Sequence, residues 1–414
     1  MHILWLKTEL LHPVDKGGRI RTYNMLRELC RDHHVTYLTL DDGSAAPNAP
    51  ALAAEYCHEL VRVPFSTAPK GGFQFFAELA ANAMSRWPYA VAKYRSVQME
   101  RAIVSAARNG PDIVVCDFLF PGVNVPNGLG IPTILFQHNV EAVIWERHMQ
   151  MAGSRLKRAY MADQWRRMQK HEQAECLRFD HVVAVSTDDA MAFTASYGAK
   201  SVSSVSTGVD TNYFKPSLSV PRKKNNLVFT GSMDWLPNED AIVWFVESIL
   251  PIVQQTVPDV SLTVVGRAPS PRIVALGSNS AVEVTGSVPD VRPFIDRAEL
   301  FVVPIRIGGG TRLKIYEAMA MERAVVSTTV GAEGLPVKDG VHVLLRETPE
   351  ATAQAITTLL ANPEQCVALA NAGAQLVRER FGWDGVARQF AETCQSVIDA
   401  HRTTPLAKPV TVAK

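Results

Sequence analysis

Short apolar runs and amphipathic stretches alternate along this chain in two series, with a break rich in proline and lysine between them. In the first series HILWL reads as a strand buried on both faces, followed by HVTYLTL, ELVRVPF, DIVVCD, PTILFQ and HVVAVS. Helices are predicted from Gly17-Gly18 to about Asp32, and around Ser96–Arg108, Ser154–Arg178 and Asp188–Tyr197. Near Lys215 the pattern gives way to KPSLSVPRKKNN, which reads as a domain linker. It restarts with NLVFTG, a helix from about Asn238 to Gln255, then VSLTVVG, AVEVTG, LFVVPI and AVVST, and helices that end around Arg380. Repeated βα units imply parallel sheets covered by helices on both faces, with right-handed crossovers. A length of 414 residues exceeds a typical single domain and fits two. The expected class is α/β, with one domain over residues 1–216, a second over 222–382, and a tail from 403 to 414 that reads as disordered.

The second series holds the densest chemical signal. Gly308, Gly309 and Gly310 follow the apolar run LFVVPI and lead into an amphipathic segment beginning near Thr311. A helix N-terminus carries unpaired N–H groups and the positive end of the macrodipole, which suits a phosphate. Glycines there let an anion approach the backbone without meeting a Cβ. Arg312 and Lys314 add positive charge beside the turn, and Glu317 follows between one and two turns on. A carboxylate is wrong for phosphate but suits vicinal hydroxyls such as those of a ribose. The implied ligand is a nucleoside diphosphate. The plain alternative is a surface glycine loop capping an ordinary helix.

At these residues the sequence resembles the retaining glycosyltransferases of family 4. That family carries a Glu, seven residues, then a Glu followed by Ala-Met-Ala or similar, and Glu317-Ala318-Met319-Ala320 fits the second half. Eight places earlier stands Gly309 instead of the first Glu, which in the family commonly touches the donor sugar. The GGGTRLK form is similar to a subgroup associated with polysaccharide and exopolysaccharide systems. The resemblance implies the GT-B architecture, two Rossmann-like domains with parallel sheets facing across a cleft. It also implies that a last helix over 383–402 completes the first domain.

Other positions gain roles through the resemblance. Thr230-Gly231-Ser232-Met233 ends a strand where donors to a diphosphate belong, so Gly231 and Ser232 are donor-site candidates with Arg267, Val288, Gly309, Gly310 and Thr311. The backbone at Val288 would read the base. The following run, DWLPNEDA, lacks the Arg and Lys that many relatives place there, leaving Arg312, Lys314 and Arg267 to supply charge. His138 follows the PTILF strand at the edge where open α/β sheets place ligands, and would bond a donor-sugar hydroxyl. His138, Arg312 and Lys314 are therefore the catalytic candidates. Gly17, Gly18, Asp117 and Glu141 are candidates for the acceptor side. Gly17-Gly18 is equally well explained as the start of a helix, and a dehydrogenase is disfavoured because no G-x-G-x-x-G follows the first strand.

Composition limits the remaining choices. A net charge of +1 offers no general argument for nucleic acid. Six scattered cysteines without a CxxC pair point to reduced thiols in a cytoplasmic setting, and no apolar run is long enough to span a bilayer. No metal is expected, since neither a DxD in a GT-A-like setting nor a His pair at ligand spacing is found. Basic residues outnumber acids from Ser154 to Arg178; such a helix can touch an anionic membrane peripherally, and a solvated face is the commoner explanation. The expected activity is metal-independent, retaining transfer from a nucleotide-diphosphate sugar co-substrate to a glycan, lipid-linked or small-molecule acceptor. A nucleotide-sugar epimerase on the same fold and a non-catalytic nucleotide-sugar-binding protein are the alternatives.

Overall fold

The structure, a computed structural model, describes residues 1–14, 17–68, 71–150, 152–217, 219–307 and 313–403. Four candidates, Gly309, Gly310, Thr311 and Arg312, lie outside the described residues, as does the tail after Thr403. The chain forms two compact units, Met1–Ser206 with the chain from Val386 onward, and Thr207–Gly385.

Unit 1 is built on β1 (His2–Lys7), β2 (His34–Asp41), β3 (Glu59–Pro64), β4 (Ile113–Asp117), β5 (Thr133–Phe136), β6 (His181–Ala184) and β7 (Val202–Ser204). Every pairing is parallel, in the order β3-β2-β1-β4-β5-β6-β7. Ile3, Leu4, Trp5 and Leu6 of β1 are all buried, so both faces of this central strand are covered and the residues do not alternate with polar ones. One face packs Leu4, Leu6, Leu38 and Val114 against Met99, Ile103, Met168 and Phe193 from helices. On the other, the Trp5 ring lies 6.1 Å from Phe136 and 5.5 Å from Phe390. Phe390 belongs to the terminal helix Trp383–Thr403, which thereby covers this sheet. Its fully buried ring contributes on the order of 1.5–3 kcal/mol.

Unit 2 holds β8 (Asn226–Thr230), β9 (Ser261–Val265), β10 (Val282–Gly286), β11 (Leu300–Val303), β12 (Ala324–Ser327) and β13 (Leu344–Leu345), parallel in the order β10-β9-β8-β11-β12-β13. Each sheet reverses its winding once, between β1 and β4 in unit 1 and between β8 and β11 in unit 2. At such a switch point the flanking connections diverge and leave a crevice beyond the carboxyl ends of the strands. The residues ending β1, β4, β8 and β11 therefore border these switch points.

Three details depart from the sequence expectation. Residues 207–216 pack within unit 2, which begins ahead of the expected boundary at 216. The cause is local: Val209 N donates to Phe381 O at 2.7 Å, and Arg292 stacks on Tyr213 at 3.8 Å. A Cβ on Gly208 would sit 2.7 Å from the Trp383 ring. The linker-like run is tied down too, through Ser217 N to Asp296 and Lys223 N to Arg297 O. Finally, the helix expected over 238–255 is Leu236–Trp244, a π-helical turn at Phe245–Ile249 and Leu250–Thr256. Pro251 has no N–H to donate four residues back, and the wider turn absorbs the lost bond.

Candidate active site

In unit 2 the strand ends are made of glycine and crossed by a lysine. Gly231 follows β8, Gly266 follows β9 and Gly286 ends β10. Gly231 N donates to Val265 O at 2.9 Å, and Gly266 N to Gly286 O at 3.2 Å, which joins the three chain ends into one floor. The backbones are so close that a Cβ on Gly266 would overlap Gly231 O. A Cβ on Gly231 would lie 2.6 Å from Lys314 Nζ and 2.7 Å from Asn238 Nδ2, so the ammonium rests directly over this glycine.

Lys314 and Glu317 come from the helix Leu313–Ala320, whose Ile315, Tyr316, Ala318 and Met319 are buried and fix its orientation. Lys314 Nζ donates to Asn238 Oδ1 at 2.9 Å and lies 3.9 Å from the centre of the Phe229 ring. Asn238 in turn donates to Ser232 O at 2.8 Å. The run DWLPNEDA, which lacks Arg and Lys, thus supplies the residue that aims the lysine. Arg267 Nε donates to Ser232 Oγ at 2.8 Å, which brings both to the same strand end. Glu317 is half-buried; burial pushes its carboxyl from an ordinary 4.5 up to about 7, against the pull of Lys314. Val288 is half-buried in the loop after β10, against the core that contains Ile295 and Tyr316. The result is an ammonium held over glycine backbone at the strand ends, with a carboxylate further along the same helix.

Unit 1 solves the same position differently. Lys7 ends β1 and Asp117 ends β4, side by side at the switch point. Asp117 Oδ2 accepts from Lys7 Nζ at 2.8 Å, Trp5 Nε1 at 2.9 Å and Thr22 Oγ1 at 2.6 Å. Its Oδ1 lies 2.7 Å from His138 Nε2. Burial alone would raise this carboxyl, yet Lys7 and His138 hold it well below the usual carboxylate range. An ionised carboxylate only accepts, so Nε2 carries the His138 proton and Nδ1 is left as an acceptor. Burial pushes the His138 pKa down to about 4 despite Asp117, so the imidazole is neutral near pH 7. Gly18, near the start of the helix Gly17–Leu29, stands before this ring: a Cβ there would lie 3.7 Å from Nδ1. Phe118, held at φ 79°, packs on the same imidazole at 5.2 Å between ring centres.

Two acceptor-side expectations need correction. Asp117 has no exposed surface, because β4 is interior to the sheet; Oδ2 accepts from three donors and Oδ1 faces His138 Nε2 at 2.7 Å. Glu141 is buried beside Glu172, whose oxygens accept from Glu141 N at 2.8 Å, Ala142 N at 3.0 Å and Tyr197 OH at 2.9 Å. Burial, reinforced by Glu172, pushes Glu141 up to about 8, at the start of the helix Glu141–Gln150. Lys7, Trp5, Thr22 and Asn238 are residues that the sequence reading passes over. No local signal marks Lys7, whose partner Asp117 lies 110 positions away.

Comparison with known proteins bears on the family and the fold. Residues 16–213 match the model for Glycosyltransferase Family 4, and residues 224–362 match that for Glycosyl transferases group 1. The alpha-maltose-1-phosphate synthase of Mycolicibacterium smegmatis is 25% identical over 65% of this chain and 74% of its own length. The chain spans only about a third of two further relatives: 33% of a 44.6 kDa protein from the cps region of Klebsiella pneumoniae at 26% identity, and 38% of a Rhizobium leguminosarum lipopolysaccharide core biosynthesis mannosyltransferase at 29%. The former covers 29% of this chain and the latter 32%. Among solved structures, Anabaena HepE in complex with UDP superposes with a TM-score of 0.68 at 16% identity, covering 96% of this chain and 100% of that one. Sucrose-phosphate synthase from Thermosynechococcus elongatus gives 0.67 at 18%, covering 97% and 100%. Two parallel sheets with these switch points, and family matches over both units, make the chain a GT4-like glycosyltransferase of the GT-B fold.

Proposed function

We propose that the chain moves a sugar from a nucleoside-diphosphate sugar to an acceptor hydroxyl, with retention at the anomeric carbon and without a divalent metal. The observation that carries this reading is the Lys314 ammonium held over the Gly231 backbone with Glu317 one turn further along the same helix. An ammonium fixed where diphosphate charge grows stabilises the leaving group, and a carboxylate beside it suits ribose hydroxyls. In unit 1 the neutral His138 offers Nδ1 as an acceptor for a sugar hydroxyl, held by Asp117. HepE crystallised with UDP and glucose supports a uridine donor, and the lipopolysaccharide core biosynthesis mannosyltransferase supports a glycan acceptor. Retention rests on the resemblance to family 4.

The test offers the purified chain UDP- and GDP-sugars with candidate acceptors, in buffer containing EDTA, and follows the anomeric proton of the product by NMR. An α-configured product from an α-configured donor is expected. An inverted product, activity that appears only with added divalent metal, or an epimerised donor without transfer would overturn the respective part of the reading.

A further inference from the structure

The helix Phe73–Asn82 of unit 1 turns its apolar side outward. Phe73 is 91% exposed, Phe76 60% and Met84, just beyond its end, 96%. With Ala77 and Ala80 these residues fall at intervals of three and four, a continuous apolar stripe on the solvent side. The inner side is fixed in place. Phe75 packs edge-on to Tyr89 at 5.7 Å, and the Tyr89 hydroxyl donates to Glu78 at 3.1 Å. Arg167 closes the far end, donating to Asn82 O at 2.7 Å, Ser85 O at 2.6 Å and Ala83 O at 2.9 Å. The helix is therefore anchored with its phenylalanines in water, which folding of unit 1 alone does not require.

Basic residues border the stripe. Ala80 and Ala83 share a groove of about 560 Å³ with Tyr160 of the long helix Arg155–Arg178. Its first six residues, Arg155, Leu156, Lys157, Arg158, Ala159 and Tyr160, are all exposed, Leu156 at 84%. Arg86 and Arg95, both exposed, stack on Trp87 at 4.5 and 4.0 Å. The nearby acids are already engaged, Glu78 by Tyr89 and Asp163 by Arg167 at 3.0 Å. Five cations around protruding aromatic and aliphatic side chains complement a surface that is apolar inside and anionic at its boundary. The same charge opposes self-association through this face.

We infer that the Phe73–Asn82 helix and the start of the Arg155–Arg178 helix form a docking surface for anionic lipid bilayer, with Phe73, Phe76, Met84 and Leu156 entering the headgroup boundary. The inference stands on these two helices and is independent of the transfer reaction. The full chain is sedimented with phosphatidylcholine vesicles, with and without phosphatidylglycerol. Binding to the anionic vesicles alone, reversed by high salt, is expected. Phe73→Ser with Phe76→Ser, and separately Arg155→Glu with Lys157→Glu and Arg158→Glu, should each weaken it roughly tenfold or more. These positions are exposed, so melting temperature should be unchanged and serves as the folding control. No binding to anionic vesicles, equal binding to both vesicle types, or wild-type binding by both variants would overturn the inference. So would a dimer in analytical ultracentrifugation that the Phe73→Ser, Phe76→Ser protein no longer forms, because the stripe would then face a second copy.

Discussion

The two units place a cation at the same topological address and treat it in opposite ways. At the β1/β4 switch of unit 1, Lys7 is buried and bonded to Asp117 and Thr22, and the neutral imidazole of His138 faces the same carboxylate. At the β8/β11 switch of unit 2, Lys314 is half-buried over a glycine and steadied by an amide. A buried ion pair with its hydrogen bonds made is stiff, and fixes the proton on its neighbour. An ammonium held by a neutral amide over glycine backbone N–H groups is a setting that suits an anion. Under the proposed function, the same sheet topology would give one site that positions hydroxyls and another that answers charge.

The sharpest way to break this comparison is to remove one partner from each site and read stability. Asp117→Ala strands the Lys7 ammonium in the interior and should cost about 3–5 kcal/mol, visible as a large fall in melting temperature. Adding Lys7→Met should restore much of the loss. Glu317→Ala in unit 2 should leave melting nearly unchanged. A smaller loss from Asp117→Ala than from Glu317→Ala would show that the unit 1 cluster is not the stiff element described.

Nucleotide affinity reverses the order. Glu317→Ala should weaken UDP binding by about 1.5–3 kcal/mol, the scale of a hydrogen bond to a charged group, in calorimetric titration. Asp117 variants that stay folded should bind UDP as before. Asn238→Ala releases Lys314 from its amide and should cost a smaller amount, about 0.5–1.5 kcal/mol of UDP affinity. Gly231→Ala places a methyl 2.6 Å from Lys314 Nζ and 2.7 Å from Asn238 Nδ2, at a φ of +159° that strains an L residue, so UDP affinity should fall together with melting temperature. Undiminished affinity in both variants would remove Lys314 from the diphosphate site.

Much of this was legible in the chain because strands covered on both faces leave long apolar runs, as HILWL and LFVVPI do. Strands without that cover were missed: β7 is the half-exposed Val202–Ser204, and β13 is two residues. The Phe73–Asn82 helix escaped because its apolar positions face water and mark no core. At the candidate sites, Gly231, Lys314, Glu317 and His138 stood out as residue types beside strand ends. Lys7 did not, since a lysine after an apolar run normally marks the return to solvent. Its burial depends on Asp117, 110 positions away, and the aim of Lys314 on Asn238, 76 away. Local pattern carries no record of such pairs.

The smallest effects expected concern pH, and they separate the two sites without any change of fold. Glu317 is raised from 4.5 to about 7, so its folded form favours the proton. Stability from that group is fully present below about pH 4.5 and lost as pH rises through about 7. Ribose hydroxyls need the ionised form, so UDP affinity should gain as pH goes from 6 to 8. The terminal phosphate of UDP titrates in this range as well, and Glu317→Gln supplies the correction. The wild-type gain should exceed that of Glu317→Gln, the difference belonging to the carboxylate. His138 behaves oppositely: with its pKa pushed to about 4, it remains neutral from pH 5 to 8. Turnover at saturating donor should show no inflection in that range that His138→Gln abolishes, although His138→Gln should lower kcat while leaving UDP affinity intact. An inflection near 6.5 that vanishes in His138→Gln would mean the imidazole is more open to water than Lys7, Asp117 and Phe118 leave it here, and the contrast between the units would fail.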